Sequence, residues 1–312
     1  MPARFPKGYA LSSPVVRRVA RRLDKVFESL ENLPYLGEAE LRDFNSFRSQ
    51  FQDSLARIDR KVLSGRLSPL DLRGFPQELR YPGLSARLGI FIGSFDPFQM
   101  THLAMALRFL ASDASEADAL FVVPEGSVDR RKPLKTDYRF RFEIMKRQIS
   151  GILEPLVAPL DIGSGADTIE IVRRLIALHP GAALRLTHLL GSDVLPLAVA
   201  LLPDDLEAWG EAAKASRVDL DFSVHVARRD GTSRLRPLAE AVRRLGVRMV
   251  VDRTVIGTPA SSAFRSEGAI TLVLPTDAIL SRLELLFRYG MYKAWTGDAS
   301  RSETPERPDY EI

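Results

Sequence analysis

From Leu88 onward, short apolar runs alternate with segments of helical periodicity, and this alternation constrains the fold more than any other feature. Strands connected by helices pair in parallel, because the chain must cross over before it pairs again. The sequence therefore predicts an α/β fold with a mostly parallel sheet flanked by helices. The predicted strands are Leu88–Ile92, Ala119–Val123, Leu156–Leu160, Ala183–Leu190, Ser223–Ala227 and Met249–Val251. The predicted helices among them include Leu103–Leu110, Arg139–Ile149 and Thr168–Leu178.

Polar residues follow several of the predicted strands directly. Ser94, Ser192, Arg228 and Arg229 all stand just past a strand end. Ligands of parallel sheets bind beyond the carboxyl ends of the strands. We therefore expect these side chains to lie near one site. Pro159 cannot donate to a neighbouring strand, which confines its own strand to a sheet edge or to a strand end.

The segment 93–102 joins the first predicted strand to the first helix of the alternation, and it reads Gly-Ser-Phe-Asp-Pro-Phe-Gln-Met-Thr-His. A glycine-containing turn that opens a helix points backbone N–H groups and the positive helix end at one small space, which suits phosphate. His102 at the start of that helix can donate to a phosphate oxygen. The alternative is an ordinary turn and a capping histidine, because Asp and Pro are common in turns that bind nothing.

This segment resembles the Gly-x-Phe-Asp-Pro-x-His-x-Gly-His signature of the nucleotidyltransferase superfamily, with Gln99 and Thr101 in place of the family's His and Gly. Further matches follow in the family's order and make bacterial nicotinate mononucleotide adenylyltransferases the nearest resemblance. They are Lys132–Lys135 with Tyr138–Met145, Asp167–Leu175, His179–Ala182, Leu189–Asp193, Ser261–Arg265 and Leu286–Tyr292. The resemblance covers about residues 86 to 295 and implies a Rossmann-like fold.

The resemblance also implies roles for individual residues. It assigns catalysis to His102, Arg265 and Lys135, with His102 on the α-phosphate of ATP. Lys132 and Lys135 would close over the pyrophosphate, although a solvated basic loop explains them equally well. The nucleotide-binding residues would be Gly93, Ser94, Phe95, Gln99, Gly191, Asp193, Ser261 and Ser262.

A purely structural interpretation is open for Asp193, His188 and His225, and Trp209 does not stand where the family has its Trp. Asp193 could be only a helix N-cap, since an apolar run follows it. The family's ring-facing Trp usually comes soon after that Asp, whereas Trp209 comes much later, beyond a stretch that looks inserted. His188 and His225 lie within apolar strand patterns, which favours satisfied core or rim histidines over ligands.

The resemblance implies adenylyl transfer from ATP to a small phosphorylated acceptor, first of all nicotinate mononucleotide, with release of pyrophosphate. Such chemistry needs Mg²⁺, which we expect ATP phosphates to hold, without a metal site built from protein side chains. One alternative is another acceptor, such as phosphopantetheine or a phosphorylated sugar. The other is a catalytically impaired nucleotide-binding protein, in which Gln99 and Thr101 mark the lost activity.

The first 85 residues form a separate helical region in this interpretation. Two amphipathic patterns, Val15–Phe27 and Glu38–Val62, precede a segment rich in Gly and Pro. Residues 1–87 hold 16 Lys and Arg against 10 Asp and Glu. We favour a solvated helix face over nucleic-acid binding for this charge, and we expect packing on the α/β domain or self-association into a homo-oligomer. A polar, disordered tail is predicted over residues 296–312.

Composition excludes several protein classes. The chain has no cysteine, so disulfides and thiolate metal sites are impossible. It contains no apolar run long enough for a membrane span, and its first ten residues lack the apolar core of a signal peptide. We therefore expect a cytoplasmic protein without a membrane partner.

Overall fold

The structure, a computed structural model, describes residues 11–31, 38–69, 85–127, 137–229 and 235–256. The helices are α1 (Pro14–Glu31), α2 (Glu38–Leu63), α3 (Met100–Ala111), α4 (Tyr138–Ser150), α5 (Thr168–Ala177), α6 (Leu195–Ser216) and α7 (Leu235–Arg244). The strands are β1 (Ser85–Gly93), β2 (Ala119–Pro124), β3 (Val157–Pro159), β4 (Ala183–Gly191), β5 (Asp219–Ala227) and β6 (Arg248–Val251).

The six strands form one sheet in the order β3-β2-β1-β4-β5-β6, and every neighbouring pair is parallel. This is the doubly wound order, in which the chain leaves β1 in one direction and returns to its other side with β4. The predicted Rossmann-like α/β fold is confirmed. Pro159 ends β3, which is an edge strand, as its missing N–H requires.

Helices cover both faces of the sheet. One hydrophobic cluster contains side chains of α1, α2, α3 and α4. The other contains side chains of α5, α6 and α7. The central strands are buried on both faces because of this double cover, which explains their nearly continuous apolar runs.

The N-terminal helices pack on the α/β part of the chain. The apolar stripe of α1 is buried as the periodicity predicts, with Val16, Val19 and Leu23 at most 4% exposed, and Phe51 and Leu55 of α2 join the same cluster. Helix α2 lies against α3. The basic residues Arg17, Arg18, Arg21 and Lys25 are exposed on the opposite side of α1. The division at residue 85 stays a prediction, because this cluster runs across it.

Two buried charged side chains of α2 stabilise this packing. Lys61 is 3% exposed, and its Nζ donates at 2.8 Å to each of the carbonyls of Leu110, Ser112 and Ser115. These carbonyls lie at and just past the end of α3, where the helix leaves its last acceptors unpaired. Asp59 accepts from the backbone N–H groups of Ser12 and Ser13, just before α1. Helix α2 therefore joins the start of α1 to the end of α3.

Two helices differ from the expectation. The apolar run after Asp193 continues as a 22-residue helix, α6, which contains Pro203. Helix α7 was not predicted, although its Leu235, Leu238 and Val242 have helical spacing. None of the helices in the described ranges is long and apolar enough to cross a bilayer. The predicted polar tail lies outside these ranges.

Candidate nucleotide-binding site

The centre of the sheet is the place where ligands of this topology bind. Strands β1 and β4 are neighbours, with Phe91 opposite Leu189, and the segments that follow them leave the sheet side by side. Helix α3 covers one face of the sheet and α6 covers the other. A crevice therefore opens where the segments after β1 and β4 diverge. Gly93-Ser94 and Gly191-Ser192 stand at its two edges. The structure therefore brings together the two predicted motifs that follow β1 and β4.

The turn from β1 to α3, residues 93–99, is built around a buried aromatic ring. Phe95 has a φ of +43°, a left-handed conformation that costs a non-glycine residue of order 1–3 kcal/mol. Its ring is 2% exposed and packs edge-on against Phe91, with centroids 4.9 Å apart. A Cβ at Gly93 would lie 3.1 Å from the same ring. Gly93 thus has a packing reason to be glycine, in addition to the predicted close approach of phosphate.

His102 lies in the first turn of α3 in a defined orientation. Its Nδ1 accepts the backbone N–H of Gln99, the N-cap residue, over 3.1 Å. The rings of Phe91, Phe95 and Phe98 surround the imidazole, with centroids 5.1 to 5.9 Å away. In the neutral imidazole the proton therefore lies on Nε2. The capping and phosphate interpretations are compatible, because they use different nitrogens of one ring.

The two departures from the family signature are both buried. Gln99 and Thr101 are 0% exposed, and the hydroxyl of Thr101 has no partner among the described residues. Thr101 therefore lies in the packed start of α3, away from open solvent. A direct contact of Gln99 with phosphate stays a prediction.

Arg141 of α4 holds the β1–α3 turn in place through hydrogen bonds to backbone carbonyls. This guanidinium is 2% exposed and donates to the carbonyl of Ser94 at 2.6 Å and to that of Glu125 at 2.8 Å. It therefore ties the end of β1 to the end of β2. Burial lowers the pKa of Arg141, while Asp96 and Glu125 partly compensate. The planar fork of arginine suits two carbonyls at once.

At the end of β4, Asp193 is held by a cation. Arg229 donates from Nη1 to Asp193 Oδ2 at 3.0 Å, and its backbone N–H donates to Ser192 Oγ. A Cβ at Gly191 would overlap Asp193 and lie 2.9 Å from the Arg229 side chain. The N-cap alternative for Asp193 is wrong, because Val194 is the N-cap of α6. Gly191 instead makes room for an ion pair beside the crevice.

A cavity of about 250 Å³ opens from the end of β1 on the side of α6. We call it the α6 cavity. Gly93 and Ser94 form one end, and Asp167–Ile169 at the start of α5 form a wall. Val194 and the part of α6 up to Trp209 cover the cavity. Its volume lies just under the ~300–1,000 Å³ usual for small-molecule sites. A ligand group bound at the β1–α3 turn can therefore extend into it.

Trp209 forms part of the wall of the α6 cavity. It is 1% exposed, its Nε1 donates to the carbonyl of Ile169, and its ring lies 4.7 Å from that of Phe222. This indole fixes α6 to α5, and its burial keeps it out of bulk solvent. The stretch that looked inserted in the sequence is thus the helix that closes the cavity.

The cavity contains two polar side chains that sequence reasoning assigned to no role or to the core. Asp205 and His188 line it and are 7% and 8% exposed. Burial and the nearby carboxylates of Asp167 and Asp204 raise the pKa of Asp205 to about 6, and burial lowers the pKa of His188 to about 4. His188 is buried as predicted, but no described residue bonds to it. His225 has a partner, Asp252, at 2.9 Å.

Several predicted site residues lie outside the described residues, namely Lys132, Lys135, Ser261, Ser262 and Arg265. Their roles stay predictions. Within the described ranges, no group of three or more His, Asp or Glu side chains is arranged to hold a metal ion.

No family model matches the chain. Two curated proteins named "probable nicotinate-nucleotide adenylyltransferase" are similar to it. The protein of Gemmatimonas aurantiaca is 34% identical over 115 residues, which are 35% of this chain and 51% of that protein. The protein of Bordetella petrii is 29% identical over 162 residues, which are 44% of this chain and 80% of that protein. The chain is similar to nicotinate-nucleotide adenylyltransferases.

This similarity confirms the predicted resemblance, although the chain spans only about half the length of the Gemmatimonas aurantiaca relative. Solved structures of the Plasmodium falciparum nicotinic acid mononucleotide adenylyltransferase also match. The complex with NaAD has 18% sequence identity to this chain and a TM-score of 0.44. The complex with APC has 16% sequence identity and a TM-score of 0.40. Each match covers 68% of this chain and 98% of the solved chain.

Proposed function

We propose that the chain is an adenylyltransferase that joins the AMP moiety of ATP to a small phosphorylated acceptor and releases pyrophosphate. The observation that carries this proposal is the position of His102. It stands in the first turn of α3, at the β1–β4 crevice, with Nδ1 occupied by a backbone N–H. Its Nε2–H is thereby the donor for a phosphate at the helix start.

The reaction needs no covalent intermediate with the protein. A phosphate oxygen of the acceptor attacks the α-phosphorus of ATP, and the bond from that phosphorus to the bridging oxygen breaks, so that pyrophosphate leaves with the electron pair. Positioning and charge stabilisation supply most of the catalysis in phosphoryl chemistry of this kind. The amides after Gly93, the positive end of α3 and His102 Nε2–H would stabilise the negative charge on the α-phosphate.

The leaving pyrophosphate would be held by residues outside the described ranges. Ser261 and Ser262 would offer backbone N–H groups, Arg265 a guanidinium, and Lys135 an ammonium. Mg²⁺ would be carried mainly by ATP phosphates. It would supply charge neutralisation on the phosphates.

The end of β4 would serve the adenosine half of ATP. Asp193 is 46% exposed at its side chain and is oriented by Arg229, so it can still accept from a ribose hydroxyl. Gly191 would let the Asp193–Arg229 ion pair lie close to the backbone at the edge of the crevice. The acceptor would lie on the other side of the crevice, with its phosphate at the β1–α3 turn and its remaining part toward the α6 cavity.

The names of the curated relatives make nicotinate mononucleotide the first acceptor to test. Other phosphorylated acceptors are the alternative. A catalytically impaired nucleotide-binding protein is the second candidate, and the observation that favours it is Gln99, an uncharged side chain buried in the place of the family's first His. A cytoplasmic location stays a prediction.

A pyrophosphate-release assay with the full chain, ATP, Mg²⁺ and a panel of acceptors tests the proposal. The panel contains nicotinate mononucleotide, nicotinamide mononucleotide, phosphopantetheine and a sugar 1-phosphate. Release that requires one of the pyridine mononucleotides supports the proposal, and release with another acceptor supports the alternative enzyme. ATP binding by calorimetry without release for any acceptor would favour the impaired nucleotide-binding protein.

A further inference from the structure

His225 of β5 is a buried histidine on the face of the sheet that α3 covers. It is 1% exposed, and its ring packs edge-on against Phe109 of α3, with centroids 5.2 Å apart. In the parallel register it lies opposite Leu189 of β4, which lies opposite Phe91 of β1. The ring of Phe91 in turn packs against the imidazole of His102. His225 therefore shares a face of the sheet with the β1–α3 turn, two strands away.

The imidazole of His225 holds the residue that follows β6. Its Nε2 lies 2.9 Å from Asp252 Oδ1, and because a carboxylate can only accept, the imidazole is the donor. The backbone N–H of Asp252 also donates to the carbonyl of Val226. The chain is thus held through both a side chain and the backbone at the point where it leaves the sheet.

Residues 252–256, which we call the post-β6 segment, are attached to two other parts of the fold. Arg108 of α3 donates to the carbonyl of Thr254 at 3.2 Å. The backbone N–H of Ile256 donates to the carbonyl of Arg228 at 2.8 Å, and Ile256 is buried in the hydrophobic cluster that contains α3. The segment is therefore fixed against both α3 and the end of β5.

The bond between His225 and Asp252 has no substitute among the described residues. Nδ1 of His225 and Oδ2 of Asp252 are both buried without a partner there, so each side chain makes its only described hydrogen bond to the other. Removal of one partner leaves the other buried and unsatisfied, which costs free energy as long as the segment stays in place. Loss of either side chain should therefore loosen the post-β6 segment.

The post-β6 segment leads into the motif that the proposed function assigns to pyrophosphate. Ser261, the first residue of that motif, follows Ile256 by five residues, which an extended chain spans in at most about 18 Å. The position of Ile256 therefore limits where the motif can lie. Small displacements of phosphate-binding groups have large effects, because positioning supplies much of the catalysis in such reactions.

We propose that His225 is a positioning residue for ATP: through Asp252 it fixes the post-β6 segment, and thereby the motif Ser261–Arg265 that meets the β- and γ-phosphates. This inference rests on the proposed function. His225 itself contacts neither the nucleotide nor the acceptor. Its loss should weaken the binding of ATP and spare that of AMP, because AMP lacks the two phosphates that the motif would hold.

The test measures the binding of ATP and of AMP to the full chain by calorimetry. His225→Phe keeps a ring beside Phe109 but cannot donate to Asp252, whereas His225→Gln still can. Asp252→Leu removes the same bond from the other side. Ser223→Ala is the matched control, since Ser223 is buried two residues earlier on the same face of β5 and bonds to Thr187 instead.

We expect His225→Phe to raise the Kd of ATP at least about tenfold, the scale of one hydrogen bond to a charged group. The Kd of AMP should stay within about twofold of the wild type. Asp252→Leu should act alike, and the double variant should add little, because both substitutions remove one bond. His225→Gln should recover most of the affinity for ATP, and Ser223→Ala should leave both affinities within about twofold.

Equal losses for ATP and AMP, unchanged affinity for ATP, or additive losses in the double variant would overturn the inference and leave the proposed function in place. An ATP-selective loss in a protein that forms no product with any acceptor would support the inference and overturn the adenylyltransferase proposal. A wild type that binds no ATP would overturn both. Circular dichroism checks the fold of each variant. If His225→Phe does not fold, Asp252→Leu decides, since the Asp252 side chain is 15% exposed and lies beyond the strand.

Discussion

The Nδ1 atom of His102 accepts a hydrogen bond from the backbone N–H of Gln99, across 3.1 Å at the start of α3. This bond places a side chain of the third helical residue back on the N-cap, in the manner of a capping box. The same contact fixes which ring nitrogen carries the proton of the neutral imidazole. A capping interaction thereby prepares a donor for phosphate.

Substitution of His102 separates the cap from catalysis. His102→Ala should lower kcat by about 100-fold or more, the scale of losing one preorganised donor. It should cost about 1 kcal/mol of unfolding free energy through the lost cap. His102→Gln offers a side-chain acceptor for the cap, so it should recover most of the stability without recovering kcat. Steady-state kinetics and urea unfolding give both values, and wild-type turnover by His102→Ala would remove His102 from the mechanism.

Substitution of Arg141 tests whether its hydrogen bonds stabilise the β1–α3 turn. Arg141→Met leaves the partly buried carbonyls of Ser94 and Glu125 without this donor, which should cost about 2–3 kcal/mol of unfolding free energy. Arg141→Lys should fall between the wild type and Arg141→Met, because one ammonium cannot reproduce the planar fork. Urea unfolding measures both. Equal stability of all three proteins would show that the guanidinium does not hold the turn.

Lys61 tests the attachment of the N-terminal helices. Lys61→Met removes three hydrogen bonds to the end of α3, so we expect a loss of about 2–4 kcal/mol in unfolding free energy. Arg60→Met is the control on the same helix, since Arg60 is exposed. It should change stability by less than about 0.5 kcal/mol. Thermal or urea unfolding that shows the same small change for both variants would contradict the described packing.

Asp205 should destabilise the fold near neutral pH. Its pKa rises from 3.8 to about 6 on folding, so between these values the folded state holds a proton that the unfolded state has released. This contribution to stability is therefore lost as pH rises through that window. Asp205→Asn removes the penalty, and its gain over the wild type should be about 2 kcal/mol larger at pH 7.5 than at pH 4.

Urea unfolding at both pH values checks this prediction, with Asp204→Asn as the reference. Because Asp204 contributes to the raised pKa of Asp205, Asp204→Asn should show a pH dependence of the same sign but a smaller gain at pH 7.5 than Asp205→Asn. A gain for Asp205→Asn that does not depend on pH would mean that the buried carboxyl has an ordinary pKa.

The fold could be predicted from the sequence because each strand is a short apolar run with a polar residue, Gly or Pro close to its end. Ala119–Val123 was predicted and Ala119–Pro124 is observed, for example. Helix α6 was predicted only in its first part. Pro203 normally ends a helix, but here packing on α5 through Trp209 keeps the helix continuous.

The site was predictable in part for the same reason. Gly93 and Gly191 follow strands directly, and the doubly wound order makes those two strands neighbours. Asp205 and His188 were not assigned to the site, since they lie far apart in the sequence and in no motif. An Asp-Asp pair in a helix is typical of a solvated face, and only the packing of α6 over the sheet buries one of the two.

The fate of the α-phosphate of ATP tests the proposed adenylyl transfer. ATP labelled at the α-phosphorus is incubated with Mg²⁺, each pyridine mononucleotide and either the wild type or His102→Ala, and the products are separated by mass. We expect labelled dinucleotide with one pyrophosphate per product for the wild type, and at least about 100-fold slower formation for His102→Ala. Label that stays in ATP or is released only as AMP with every acceptor would contradict adenylyl transfer by this chain.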